Sequence, residues 1–273
     1  AVIWLLRQKE PVVKLSLFSL PSFSMPSLMI FFVGFALYSS STLLPMMVQS
    51  NFGYDATLAG MVLSPSGLVV ICIMPIIGKL VNKVQAKYLI STGMFLMAFG
   101  MWATAQITPQ SDYWTLVQVR ILQVIGLPFL FVPSSTLAFS KIKAVDSSNA
   151  SAIVALMRNL GGSIGIAIVT NKLIQSQQVE QNNIVQHLTN FDIGYNNALY
   201  NMTNTIKNLG FSETQASQMA LGKIYRELMH QASLLAYADA YEFVATIMIL
   251  LGIVALFMPK NELHGKKKTV VIE

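Results

Sequence analysis

The sequence predicts an all-α membrane protein of six transmembrane helices, and three observations carry that reading. Hydrophobic residues make up 54% of the chain and charged residues only 11%, about half the charge of an average soluble domain. Apolar runs of roughly twenty residues recur between short polar turns, and a helix of that length crosses the ~30 Å hydrocarbon core of a bilayer. The 18 Lys and Arg residues fall in short clusters between those runs, without a continuous basic face. The net charge of +6 therefore reads as membrane topology and not as nucleic-acid binding.

Residues 1–26 open the chain. The run Ala1-Val2-Ile3-Trp4-Leu5-Leu6 is too short to span, and its basic residues follow it, the reverse of a signal peptide. It reads as the stub of a preceding helix, followed by a basic, proline-punctuated interfacial loop. Five spans are expected within 27–174. The first, 27–48, is broken near one end by Pro45, and the second, 56–80, contains Pro65, Gly67 and Pro75. The third, 88–107, carries Gly93 and Gly100 on one face. The fourth, 113–139, bears Gln118, Arg120 and Gln123 and then Gly126, Pro128 and Pro133; the fifth is 148–174. Prolines and glycines at this density kink spans or let helices approach closely.

Residues 175–232 are rich in Asn, Gln, Ser and Thr, too polar to enter lipid, and read as an extracytoplasmic loop with one amphipathic helix. Ser212 with Gln215 resembles a capping box, and Ala216, Met219, Ala220, Ile224 and Leu228 repeat at helical spacing. This helix is expected to run into the sixth span, 233–258, and residues 259–273 form a basic tail.

Chemistry is sparse. The single Cys72 excludes a disulfide framework and reads as a small buried hydrophobe. His187, His230 and His264 have no acid–histidine spacing that suggests zinc, so no metal is expected. The spans contain no nucleophile–base pair, which argues against an enzyme. Assigning alternate loops to one side collects Arg7, Lys9, Lys14, Lys79, Lys83, Lys87, Lys141, Lys143, Lys260, Lys266, Lys267 and Lys268, against Lys172, Lys207, Lys223 and Arg226 on the other. The positive-inside rule makes the first side, with the C-terminus, cytoplasmic.

The two remaining cations lie inside spans. Arg158 is about ten residues into its span, ~15 Å along the axis, and is followed by Asn159-Leu160-Gly161-Gly162-Ser163-Ile164-Gly165. Gly161 and Gly165, one turn apart with Gly162 between them, suit close helix approach. Two readings are open for Arg158. It hydrogen-bonds carbonyls of broken helices or snorkels to the interface, or it lines a central cavity and sets the charge state of a proton-carrying acid. Asn159 could share either role. Arg120 begins a polar stripe with Gln123 one turn on. Asp239 and Glu242 lie near the outer start of the sixth span, so an Arg120–carboxylate pair is geometrically allowed. The acids are then either an exposed interfacial pair or, if buried with Arg120, a gate or proton-linked switch.

These features combine into a resemblance. Six spans before a cytoplasmic C-terminus, the stretches Leu15-Ser16-Leu17-Phe18, Ser64-Pro65-Ser66-Gly67 and Arg158 to Gly165, and a long polar loop before the last span resemble the C-terminal half of a major facilitator superfamily transporter. The closest likeness is to the fourteen-span drug:proton antiporter branch, the EmrB/QacA type. Gly78, Leu80, Lys83 and Lys87 match the superfamily's cytoplasmic loop signature. Asn82 stands where its acid belongs and Gln85 where its second glycine belongs. That loop reads either as a basic positive-inside segment or as a latch between helix ends.

The resemblance implies the C-terminal bundle of a major facilitator fold, working by alternating access in the bacterial inner (plasma) membrane. It implies a proton gradient as energy source, no cofactor, and export of small lipophilic or cationic compounds. The implied partners are the lipid bilayer, the N-terminal half of the same transporter and, in a two-membrane cell, a periplasmic membrane-fusion adaptor. The acids credited with proton coupling belong to the N-terminal half, so this chain alone is expected not to pump. The competing expectation is a non-transporting relic or split half that serves only as a helix-packing partner.

Overall fold

A computed structural model of the chain describes residues 21–139, 142, 146–187 and 193–258. The expected helix stub, Leu15-Ser16-Leu17-Phe18, Arg7, Lys9, Lys14, Lys141, Lys143, Lys260, His264 and Lys266, Lys267 and Lys268 lie outside the described residues. The protein is an all-α membrane bundle with no strand among the described residues. Its helices are α1 (Pro21–Phe52), α2 (Ala56–Leu80), α3 (Ala86–Ala105), α4 (Tyr113–Ile125), α5 (Leu127–Phe139), α6 (Ser147–His187), α7 (Ile193–Lys207) and α8 (Glu213–Leu256). Six stretches are long and apolar enough to cross a membrane, with α4 and α5 forming one span from Tyr113 to Phe139.

Local chemistry sets the ends. Asp55 caps α2 by accepting from the Leu58 amide at 2.8 Å. Asp112 caps α4 by accepting from the Thr115 amide at 3.1 Å and from the Thr115 hydroxyl, and these bonds hold its carboxyl below the usual value. Ser212 and Gln215 form a reciprocal capping box at the start of α8, which satisfies two orphan donors. Gly126 divides the fourth span because Pro128, two residues beyond it, supplies no amide to the ladder.

Two glycine seams fix the packing. Helices α1 and α6 run parallel, with Gly161 against the Phe31 carbonyl, Gly165 against Phe35 and Ser39, and Gly34 against the Arg158 carbonyl. A Cβ on Gly161 would stand 1.9 Å from Phe31 O, so only glycine permits this backbone contact. On the other side of the bundle, α3 runs antiparallel to α4. Its Gly93 meets Gly126, and its Gly100 meets the backbone of Gln123. The main core lies where α1, α3, α4 and α8 converge, around Leu44, Met47, Met94, Met97, Leu116, Tyr241 and Met248.

Several expectations are corrected. Pro45 does not break the first span, because α1 continues to Phe52. One missing amide does not outweigh the burial of Leu43, Leu44, Met47 and Val48 around it. Cys72 is exposed on α2 and not a buried hydrophobe, since that helix buries little more than Ala59, Val62, Ser66 and Ile77. Nor is 175–232 a loop with a single helix. Helix α6 continues through it to His187, α7 follows, and α8 begins at Glu213 and runs unbroken into the last span.

Polarity keeps those residues out of lipid without keeping them out of a helix. With 41 and 44 residues, α6 and α8 are about 62 and 66 Å long, twice the ~30 Å that the hydrocarbon core needs. Their polar halves project together. Gln181 donates to the Tyr225 hydroxyl at 3.4 Å, and α7 packs on α8 through Ile206, Ala216 and Ala220. Gly210, at φ 97, turns the chain between α7 and α8, and Lys207 pairs with Glu213 at 3.0 Å across that turn.

Candidate functional site

A polar network occupies the middle of the apolar core. Its centre is Arg120, only 6% exposed on α4. One guanidinium nitrogen donates to Ser40 Oγ at 2.8 Å and to Gln123 Oε1 at 3.1 Å, and the other donates to Ser41 Oγ at 3.0 Å. Gln123, fully buried, passes the chain on through Nε2 to Thr104 Oγ1 at 2.7 Å, and Thr104 donates to the Gly100 carbonyl at 2.7 Å. The Tyr241 hydroxyl of α8 faces Gln123 and Arg120. Arg120 Nε has no hydrogen-bond partner.

The local sequence explains this assembly. Arg120 and Gln123, one turn apart, lie on the same face of α4. Gly100 lets that face come into backbone contact with α3, and Thr104, one turn beyond Gly100, then receives the amide. Four helices meet on one cation held entirely by neutral acceptors. In a low-dielectric interior such a cation disfavours a second positive charge nearby and favours the ionised form of an acid brought to it.

Of the two readings open for Asp239 and Glu242, the buried pair with Arg120 does not form. Asp239 is half-buried and Glu242 is exposed, and neither makes an ion pair with the guanidinium. The reason is angular. Tyr241, between them on α8, points into the core, so its neighbours turn away. Sequence reasoning missed Ser40, Ser41, Thr104 and Tyr241. The signal available was the run Ser39-Ser40-Ser41-Thr42 in an otherwise apolar span, four hydroxyls that need partners in a place without water.

Arg158 lies on α6 behind the glycine seam. Its guanidinium carbon sits 5.8 Å from the centre of the Phe131 ring, within cation–π range, and its buried Nε has no hydrogen-bond partner. Gly161, Gly162 and Gly165 are buried against α1, while Asn159, Leu160, Ser163 and Ile164 are exposed. The two faces of α6 thus divide between packing against α1 and an uncovered surface beside Arg158.

The first turns of α3, just past the loop after α2, form a cross-helix tie. Lys87 Nζ donates to the Leu256 carbonyl at 3.3 Å, and Ser91 Oγ donates to the Gly252 carbonyl at 2.9 Å. A cation thereby meets the negative end of α8. Lys83 is exposed, and Gly78 and Leu80 close α2. At the other end of the bundle, His230 and Asn51 form a reciprocal clamp. His230 Nε2 meets the Asn51 carbonyl at 2.7 Å, and Asn51 Nδ2 donates to the His230 carbonyl at 3.2 Å. Among the described residues no group of His, Cys, Asp and Glu is arranged to hold a metal ion.

Comparison with known proteins places this architecture. The model of the Major Facilitator Superfamily matches residues 4–166. The chain is 28% identical over 255 residues to the colistin resistance protein EmrB of Acinetobacter baumannii, covering 93% of this chain and 49% of that protein. It is 25% identical over 260 residues to the multidrug export protein EmrB of Escherichia coli K12, covering 94% and 49%. It is 24% identical over 265 residues to the fatty acid resistance protein FarB of Neisseria gonorrhoeae, covering 97% and 50%. The chain spans about half the length of these curated relatives. Six apolar helices and these bacterial relatives make it a multi-pass inner-membrane protein.

Proposed function

Because the chain belongs to the Major Facilitator Superfamily, we propose that it forms the C-terminal half of a proton-coupled multidrug exporter that works by alternating access. The observation that carries this reading is the division of α6. Its glycine face is locked onto α1, and its other face presents Asn159, Leu160, Ser163 and Ile164 uncovered beside Arg158. Helix α2 is exposed along most of its apolar length. Both features suit a second six-helix bundle, the N-terminal half, closing over them to enclose a midplane site.

In this reading the end of the bundle with Lys79, Lys83 and Lys87 is cytoplasmic, as is the C-terminus, and the projecting helices α6 to α8 are extracytoplasmic. There they are available to a periplasmic membrane-fusion adaptor. Arg158 presents positive charge to the cavity and holds an acid of the opposite half ionised until a proton or a cationic compound arrives. The Arg120 network keeps α1, α3, α4 and α8 together while the halves rock. The reaction consumes the proton gradient and involves no cofactor, which fits a transporter and not an enzyme.

The test is gradient-driven dye transport in proteoliposomes. With the N-terminal half present, efflux should follow the imposed proton gradient, and Arg158→Ala should reduce it at least tenfold with unchanged membrane insertion. Unchanged efflux would leave Arg158 a packing residue. The chain reconstituted alone should not transport, and gradient-driven dye movement by it would overturn the requirement for two halves.

A further inference from the structure

A cleft of about 410 Å³ lies between α3 and α8, away from the Arg120 network and from the α6 face. Phe95, Phe99 and Trp102 of α3 line one wall, and Glu242, Thr246 and Ile249 of α8 the other. Its depth follows from the tie at the basic end. The pairs Lys87–Leu256 and Ser91–Gly252 set an antiparallel register that brings Glu242 level with Met101, between Phe99 and Trp102. Glu242 is 14 residues from the end of α8, about 21 Å along the helix and therefore inside the ~30 Å apolar layer.

The side chain there is unusual in its surroundings. Glu242 is exposed, and its carboxylate has no hydrogen-bond or ion-pair partner among the described residues. Three aromatic side chains, 39%, 53% and 50% exposed for Phe95, Phe99 and Trp102, stand open beside it. An ionisable residue at membrane depth calls for a counter-charge, and aromatic faces attract cations. A hydrated inorganic ion would satisfy the carboxylate but not the rings. A zwitterionic headgroup would bring a phosphate against the carboxylate. The lining fits a monovalent organic cation with a bulky apolar body, and the cleft lies within the size range of drug-sized sites.

We propose that the α3–α8 cleft is a peripheral binding site for lipophilic organic cations, with Glu242 as counter-ion and Phe95, Phe99 and Trp102 as the aromatic wall. It loads them from the membrane, separately from any site enclosed between two bundles. That these cations are cargo rests on the exporter reading; their binding in the cleft does not. Trp102 also supplies a probe, because an aromatic cation seated in the cleft changes its fluorescence.

The test is equilibrium binding of tetraphenylphosphonium to the protein in phosphatidylcholine nanodiscs, beside neutral triphenylphosphine oxide. The proposal expects saturable binding of the cation, weakened about tenfold or more by Glu242→Gln and several-fold by Trp102→Ala, with Glu242→Asp retaining most of it. The neutral compound should respond to Trp102→Ala and not to Glu242→Gln. Wild-type protein without saturable binding, or Glu242→Gln and Trp102→Ala proteins of normal helicity that bind as wild type, would overturn the site. Cation export with Glu242-independent binding would reject the cleft and keep the exporter. Glu242-dependent binding without export when the N-terminal half is present would reject the exporter and keep the cleft.

Discussion

Replacing Gly161 with alanine should pry α6 away from α1. The added Cβ would lie 1.9 Å from the Phe31 carbonyl oxygen and 2.7 Å from its carbon. Both are backbone atoms, so no side-chain rotation relieves the clash. Reaching the 3.0 Å below which real Cβ contacts are essentially never found requires the helices to part by roughly 1.1 Å. Overpacking of this kind costs ~1–3 kcal/mol. Gly34→Ala attacks the same seam from α1, its Cβ falling 2.1 Å from the Arg158 carbonyl. Since one separation accommodates both methyl groups, the double variant should cost less than the two single effects added. Gly222→Ala is the control. It lies in α8 with nothing within 4 Å of its Cβ, so helix propensity makes it neutral or stabilising by up to ~1 kcal/mol. Unfolding in mixed detergent–SDS micelles, followed by circular dichroism, measures all four variants. A Gly161→Ala protein within about 0.5 kcal/mol of wild type would refute the seam, and strict additivity with Gly34→Ala would refute its being one shared contact.

The same unfolding assay reads the polar network. Gln123→Leu removes a partner from both Arg120 and Thr104 and should destabilise by ~1–3 kcal/mol, whereas Gln118→Leu, exposed on the same helix, should have little effect. Asn51→Ala cuts Asn51 Nδ2 from the His230 carbonyl and Asn51 Oδ1 from Ser233. Hydrogen exchange at the C-terminal turn of α1 should then rise while α3 is unaffected; equal exchange would refute the clamp. At Asp112 the folded carboxyl titrates below its usual value, so its cap is fully present above the unfolded value of about 3.9 and fades as pH falls through the lower folded one. Protection of the Thr115 amide should therefore hold from pH 7 down to about 3.9 and be lost only below it, and loss of protection already above that value would count against the cap.

The relatives frame what this half-length chain contributes. Its glycines make a rigid parallel pair of α1 and α6, its buried Arg120–Gln123 network links α1, α3 and α4, and its basic end is tied through Lys87 and Ser91 to α8. All three are positioning devices, as the proposed rocking of the bundle as one body requires. The open surfaces, on α2, on the far face of α6 and in the α3–α8 cleft, are where exchange with another bundle or with the membrane takes place in the proposed cycle.

The number of spans and their approximate places were legible in the sequence, as were the caps at Ser212 and the entry of α8 into the last span. Each rests on local quantities, namely the transfer of apolar side chains out of water and the hydrogen bonding of a few neighbouring residues, which the chain carries within a window of twenty residues or fewer. The extension of α6 to His187 was not legible, because polarity excludes a segment from lipid but leaves its backbone free to stay helical. The partners of Arg120 were not legible either. Ser40 is 80 residues away along the chain and Thr104 is 19 from Gln123, and their meeting depends on the register and rotation of whole helices. One residue of rotation on a helix turns a side chain by about 100°. That angle put Tyr241 in the core beside Arg120 and left Glu242 in the outer cleft, a choice made by packing and invisible in the spacing of the acids.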